Sequence, residues 1–123
     1  HMLDQLKAMG AVASLLKNRE KLQASIQQVK EEMGKVEVTG KSSNGAIVAK
    51  VNGQMKVLSV EISAALVNGM AAEPKTREAT SKLIADAVND ALTQAQEKLQ
   101  VAVQKRTQEL GIPDLPGLGN LLG

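Results

Sequence analysis

Side chains that commonly carry catalysis are scarce in this chain. It has no cysteine and one histidine, His1, among 123 residues, which leaves carboxylates, lysines and hydroxyls for nucleophilic or acid-base chemistry. The pair His1-Met2 is typical of a cloning remnant ahead of a natural start at Met2. Asp86 and Asp90 lie one helical turn apart and could chelate a cation, but this spacing is far more often a solvated helix face. We therefore expect no enzyme, no metal site, no cofactor and no small-molecule substrate.

Phosphate binding by basic side chains is the chemistry that remains. Residues 2–21 and 97–110 together hold seven basic and four acidic residues, a net charge of +3. Each lysine or arginine that meets a nucleic-acid phosphate releases condensed counterions. Charge alone is more typical of two solubilising helix faces, in which lysine stems cover apolar surface. Under the functional interpretation, the phosphate contacts are Lys17, Arg19, Lys21, Lys98, Lys105 and Arg106.

The absence of Phe, Tyr and Trp limits both the ligand and the core. Single-stranded DNA and RNA are usually held by base stacking on aromatic rings, so duplex binding through phosphates is the more compatible mode. Without large aromatic side chains a single copy has little material for its core. We therefore expect an oligomer that shares its core. No apolar run approaches the roughly 20 residues of a membrane span, and we expect a cytoplasmic protein.

The elements that position these basic residues begin with a long amphipathic helix from Leu3 to about Met33. Its apolar residues recur at alternating steps of three and four, interrupted at Arg19, which is a heptad seam. Gly34 supplies the helix stop. The seam consists of Ala8, Val12, Leu15, Leu22, Ile26, Val29 and Met33.

Three short antiparallel strands are predicted between about Val36 and Ile62, where the apolar period changes to two. Asn52-Gly53 is a strong hairpin signal because both residues tolerate positive φ. The apolar step from Val57 to Val60 is three residues, which predicts a bulge near Leu58-Ser59.

A second long helix follows the strands. Ser63 is a candidate N-cap for a short turn, Ala64 to Val67, before a loop at Asn68-Gly69. Glu73 and Pro74 suit the first turn of the long helix, which ends at Gly111. We predict one α+β domain, residues 2–111, in the order α-β-β-β-α, and a flexible Gly/Pro/Leu-rich tail, residues 112–123. Because the first helix runs into the sheet and the second runs out, their basic ends both lie away from the sheet.

Ordered motifs in the strands and second helix also carry a family resemblance. They are Val36-Glu37-Val38-Thr39-Gly40, Gly45, Val51-Asn52-Gly53, Val57, Val60-Glu61-Ile62, Leu83-Ile84 and Ala87-Val88-Asn89-Asp90-Ala91-Leu92. In this order they resemble the YbaB/EbfC family of bacterial nucleoid-associated DNA-binding proteins. The chain departs from that pattern at Gly10-Ala11-Val12-Ala13, where the family is rich in Met, Gln and Lys, at Met55, where Gly is common, and at Ser63, where Asp is common.

The resemblance implies an intertwined homodimer whose projecting helical arms grip double-stranded DNA in the nucleoid. It also implies a role in nucleoid organisation or gene regulation. Together with the basic distal ends of the helices, the resemblance motivates our hypothesis of a DNA-binding homodimer with low to moderate sequence preference. The alternative is a structural or adaptor module that binds a protein partner through its helical arms. The partners expected are thus duplex DNA and a second copy of the chain, with no membrane.

Overall fold

A computed structural model describes residues 1–111, apart from the side chains at positions 11, 12, 14 and 15. The predicted α-β-β-β-α order is confirmed, with one short helix added. The predicted tail, residues 112–123, and the seam side chains of Val12 and Leu15 lie outside what is described. The elements are α1 (Met2–Met33), β1 (Glu37–Lys41), β2 (Ile47–Asn52), β3 (Val57–Ile62), α2 (Ala64–Ala72) and α3 (Pro74–Glu109).

The three strands form an antiparallel sheet in the order β1-β2-β3. Ala49 pairs with Val60, and the register then shifts, so that Val51 pairs with Val57. Leu58 is the extra residue on β3, which confirms the predicted bulge.

The β2–β3 hairpin is confirmed at its predicted position, but its turn works differently. The residue with positive φ is Met55, at 64°, and not Asn52 or Gly53, although both tolerate that conformation. The side-chain Oδ1 of Asn52 accepts hydrogen bonds from the backbone N–H groups of Gln54 (2.9 Å) and Lys56 (3.1 Å), and this Asx interaction bends the chain. Gly53 is needed for space, because a Cβ there would lie 2.5 Å from the carbonyl oxygen of Met33.

The core of the sheet lies under α3. The β2 residues Ile47, Ala49 and Val51 are fully buried, as are the small residues of the α3 stripe. A Cβ on Gly40 of β1 would overlap the backbone of α3 at Ala87 and Ala91, so strand and helix are in direct backbone contact. The alanine stripe, Ala87, Ala91 and Ala95, thus permits this close packing, and each fully buried valine or isoleucine of the core contributes about 1.5–3 kcal/mol.

The short helix α2 is longer than expected. Ser63 is its N-cap, as predicted, and its Oγ accepts from the N–H of Leu66 at 3.3 Å. Asn68-Gly69 lies inside the helix, not in a loop. Gly69 packs closely on α3, since a Cβ on this residue would lie 2.9 Å from Cγ2 of Thr76.

The end of α3 packs antiparallel against the second half of α1. Val29, Met33 and Val103 form a buried cluster, which Leu22, Ile26, Leu99 and Ala102 surround. The predicted seam is therefore used from Leu22 onward. Every described side chain from Met2 to Lys21 is exposed, and at about 1.5 Å per residue this part of α1 extends roughly 30 Å. We call residues 2–21 and 97–110 the distal arms.

Candidate nucleic-acid interface

Arg106 joins the end of α3 to the second half of α1. Its guanidinium donates to Gln28 Oε1 at 3.0 Å and to Glu32 Oε1 at 3.3 Å, both on α1. Its Nε also lies 3.6 Å from Glu109 Oε2 on its own helix. The side chain is 23% exposed, and two carboxylates balance its charge. Arg106 therefore differs from the other predicted phosphate contacts, because its guanidinium already links α1 to α3.

Lys98 and Lys105 lie on the same side of α3. Both are exposed, and a spacing of seven residues is close to two helical turns, or roughly 10 Å along the axis. Lys98 borders a shallow groove of about 430 Å³ that is also lined by Gln94, Glu97, Val101 and Ala102. The two ammonium groups therefore lie on one face of α3, roughly 10 Å apart along its axis.

Lys17 and Lys21 form a second pair, one turn apart on α1, and both are exposed. Arg19 is also exposed, but at about 100° per residue it lies on nearly the opposite side of α1 from Lys17. Lys7 is exposed as well, and it lies on the same side as Lys21, four turns closer to the helix start. Sequence reasoning counted its charge but left it out of the candidate contacts. The predicted residues thus form two lysine pairs, one separate arginine and one interhelical link.

Charged side chains near the sheet are paired with groups of the same chain. Asp90 Oδ2 accepts from the backbone N–H of Lys41 at 3.0 Å and from Gln94 at 3.2 Å, so this carboxylate links α3 to β1. Lys50 pairs with Glu37 at 3.5 Å. Among residues 1–111, no group of three or more His, Cys, Asp or Glu side chains could hold a metal ion.

An uncovered apolar surface lies on β3. Val57 and Val60 are opposite the fully buried Val51 and Ala49, so they share the sheet face that α3 covers elsewhere. Because α3 packs on β1 and β2, Val57 remains 48% exposed and Val60 36% exposed. The adjoining helix α2 has no charged residue and no buried one. Together β3 and α2 form a surface that a second molecule can cover.

None of the helices in the described part of the chain has an apolar stretch long enough to cross a bilayer. Exposed apolar residues occur instead on β3 and α2 and on the first half of α1.

Comparison with known proteins identifies relatives over almost the whole chain. The model of the YbaB/EbfC DNA-binding family matches residues 9–110. A nucleoid-associated protein of Hahella chejuensis is 35% identical over 104 residues, which are 85% of this chain and 91% of that protein. One from Bradyrhizobium diazoefficiens is 34% identical over 110 residues, 89% of this chain and 97% of that protein. The solved structure of the uncharacterized protein HP0035 from Helicobacter pylori, 22% identical, covers 79% of this chain and 94% of its own with a TM-score of 0.49.

Proposed function

The chain belongs to the YbaB/EbfC DNA-binding family, and from this premise we propose that it is a nucleoid-associated protein that binds double-stranded DNA as a homodimer. The observation that carries the proposal is the family match over residues 9–110, which includes the sheet and the basic end of α3. Contacts are mainly to phosphates, with low to moderate sequence preference, and the protein acts in the nucleoid of the bacterial cytoplasm.

The homodimer is proposed to form through β3 and α2. An edge strand with an exposed apolar face is normally covered or blunted, because it invites association. Val60 and Val67 are 36% and 50% exposed in a single copy, and the chain lacks aromatic residues that could enlarge its own core. A second copy that covers this surface completes the core.

The phosphate contacts are proposed to come from Lys17, Arg19, Lys21, Lys98 and Lys105 on the distal arms. These arms carry a net charge of +3, whereas residues 22–96 hold eight basic and eight acidic residues. In a dimer the surplus is doubled, which strengthens attraction to a polyanion. Arg106 contributes by holding α1 against α3, so that the lysine pairs keep a fixed relation to each other.

Band-shift titration at two salt concentrations tests the proposal. The double variant Lys98→Gln/Lys105→Gln is expected to bind duplex DNA more weakly, with a salt slope reduced by about 0.9 for each lost phosphate contact. Lys75→Gln/Lys82→Gln is a matched control, because it has the same helix, the same seven-residue spacing and the same charge change, but lies beside the sheet. Equal loss in both variants, or wild-type binding that is indifferent to salt, would reject the proposal.

The alternative adaptor function predicts a different result in the same experiment. Exposed apolar residues on the first half of α1, among them Leu6 and Met9 at 64% and 68%, favour a protein contact there. An adaptor that binds through apolar arm residues would keep its partner when Lys98 and Lys105 are neutralised, and would show no band shift with DNA at low salt.

A further inference from the structure

The distal part of α1 carries an apolar stripe that nothing in the described chain covers. Its large residues range from 56% exposed, at Leu16, to 78% exposed, at Met2. The steps between its members are four, three, four and three residues, the heptad spacing that helix pairs use. We call this set the outer stripe: Met2, Leu6, Met9, Ala13 and Leu16.

The outer stripe lies on a different face from the seam that contacts α3. That seam continues through Leu22, Ile26, Val29 and Met33, and at about 100° per residue the outer stripe lies roughly 150° around the helix from it. The end of α3 therefore cannot cover the stripe. Polar residues take over the same face after Leu16, since its next three heptad positions are Glu20, Gln23 and Gln27.

We propose that the outer stripe docks on the outer stripe of a second copy, as an antiparallel helix pair that joins two homodimers. This inference rests on one part of the proposed function, the homodimer. It does not depend on DNA binding, because the contact between the arms needs no DNA. Heptad spacing selects a helix as the occupant, since each apolar residue inserts between residues of a facing helix.

The side-chain sizes favour the antiparallel direction. With Leu6 opposite the partner's Leu16, Met9 lies opposite the partner's Ala13, so that a long side chain meets a short one in two symmetry-related layers. A parallel pair would place Met9 opposite the partner's Met9 and Ala13 opposite the partner's Ala13. The methionine layer would be crowded and the alanine layer would leave a gap. A parallel pair would also bring Glu20 of each chain together in the next layer, and like charges at such positions destabilise the pair.

Flanking charges are compatible with the same antiparallel register. Lys17 then lies beside the partner's Leu3, and Arg19 beside the partner's Gln5, so no two basic residues meet across the pair. The basic side chains remain on other faces of α1 than the outer stripe. Pairing between the arms therefore leaves the proposed phosphate contacts accessible, and two homodimers joined in this way could hold two DNA duplexes.

A lipid surface is the less suitable occupant. Helices that lie in a membrane interface usually carry Trp or Phe on the buried face, and this chain has neither. Glu20 also continues the face of the outer stripe, where an anionic headgroup would be repelled.

Cysteine crosslinking tests the pairing directly, because the chain has no cysteine of its own. Full-length Met9→Cys mixed with Ala13→Cys is expected to give the mixed disulfide several-fold faster than Met9→Cys alone. Asn18→Cys, an exposed residue off the stripe, is the control and is expected to react slowly. Faster crosslinking of Met9→Cys with itself would refute the antiparallel register, and rates equal to the Asn18→Cys control would refute the contact.

Sedimentation of the full-length chain tests the assembly. The wild type is expected to shift with rising concentration from two chains to four and then to larger species, because each joined homodimer keeps a second outer stripe. Leu6→Lys/Leu16→Lys is expected to remain at two. Val101→Lys removes another exposed apolar residue, 65% exposed on α3, and should still reach four. A wild type that stays at two chains would overturn the proposal. A wild type that goes from one to two while keeping the mixed crosslink would instead refute the β3 homodimer and retain the arm contact.

Two further measurements exclude other occupants. Leu115→Gln/Leu118→Gln, in the C-terminal segment, is expected to leave the four-chain species unchanged, and its loss would assign the outer stripe to that segment. Co-sedimentation with anionic phosphatidylserine vesicles that disappears in Leu6→Lys/Leu16→Lys, without any stripe-specific crosslink, would assign it to lipid and overturn the pairing.

Discussion

The sheet body, residues 22–96, and the distal arms use the same aliphatic residue types in opposite ways. In the sheet body Ile47, Ala49 and Val51 have no exposed surface, whereas in the arms Met2 and Met9 are 78% and 68% exposed. Charge follows the same division, since the sheet body is neutral and the arms carry +3. Packing therefore determines the residues of the sheet body and, at Val103, the face of α3 that contacts α1. The described side chains of residues 2–21 remain available for partners. Substitutions in the sheet body should therefore change mainly the stability of the fold, and substitutions in the arms mainly the binding of partners.

The largest effect is expected where two backbones touch. Gly40→Val should destabilise the fold by about 3 kcal/mol or more, because its side chain would overlap the α3 backbone at Ala87 and Ala91, and overpacking of a core is strongly unfavourable. Urea unfolding followed by circular dichroism measures the change. Gly10→Ala is the arm control: nothing lies within 4 Å of its new Cβ, and it should stabilise the helix by up to about 1 kcal/mol. Comparable losses in both would remove the distinction between sheet body and arms.

Val60→Asp should convert the homodimer to monomer, since it places a charge on the β3 surface that a second copy is proposed to cover. Ser59→Asp makes the same charge change on the same strand. Ser59 is opposite Lys50, on the other face of the sheet, so this variant should remain a dimer. Sedimentation equilibrium at micromolar concentration distinguishes them, and a Val60→Asp dimer of wild-type stability would place the interface elsewhere.

Local sequence patterns predicted the elements because each pattern reports a local preference. The change from a heptad period to alternation marked the border between α1 and the strands, and the irregular step before Val60 marked the bulge. Ser63 was recognisable as an N-cap for the same reason. These features depend on neighbours along the chain, which a single sequence displays.

The features that sequence reasoning missed depend on contacts between distant residues. Arg106 contacts Gln28 across 78 positions, and no local pattern separates such an arginine from one that faces solvent. Asn52-Gly53 looked like a tight turn, but the end of α1 packs against Gly53. That Lys17 and Arg19 lie on different faces of α1 could have been predicted from the sequence, since helix periodicity places residues two positions apart on nearly opposite sides.

Arg106→Gln should have a moderate effect on both stability and DNA binding, because Arg106 links an arm to the sheet body. Loss of the bonds to Glu32 and Gln28 is expected to cost about 1 kcal/mol of stability, because the ion pair is partly exposed. DNA affinity should fall while the salt slope changes less than in Lys98→Gln/Lys105→Gln, since Arg106 positions the arms and its charge is already balanced. A full reduction of the salt slope would instead identify Arg106 as a phosphate contact.

The smallest expected effect concerns the turn between β2 and β3. Met55 has φ of 64°, a conformation that costs a side chain with a Cβ about 1–2 kcal/mol relative to glycine. Met55 is also partly buried against the sheet core. Met55→Gly therefore relieves the cost of the positive φ but loses the packing of the side chain, and the net change in the free energy of unfolding should be small. Met55→Ala loses nearly the same packing without relief of the backbone. We therefore expect Met55→Gly to be more stable than Met55→Ala by about 1 kcal/mol in thermal unfolding. The reverse order would mean that packing, and not backbone conformation, determines which residue this turn accepts.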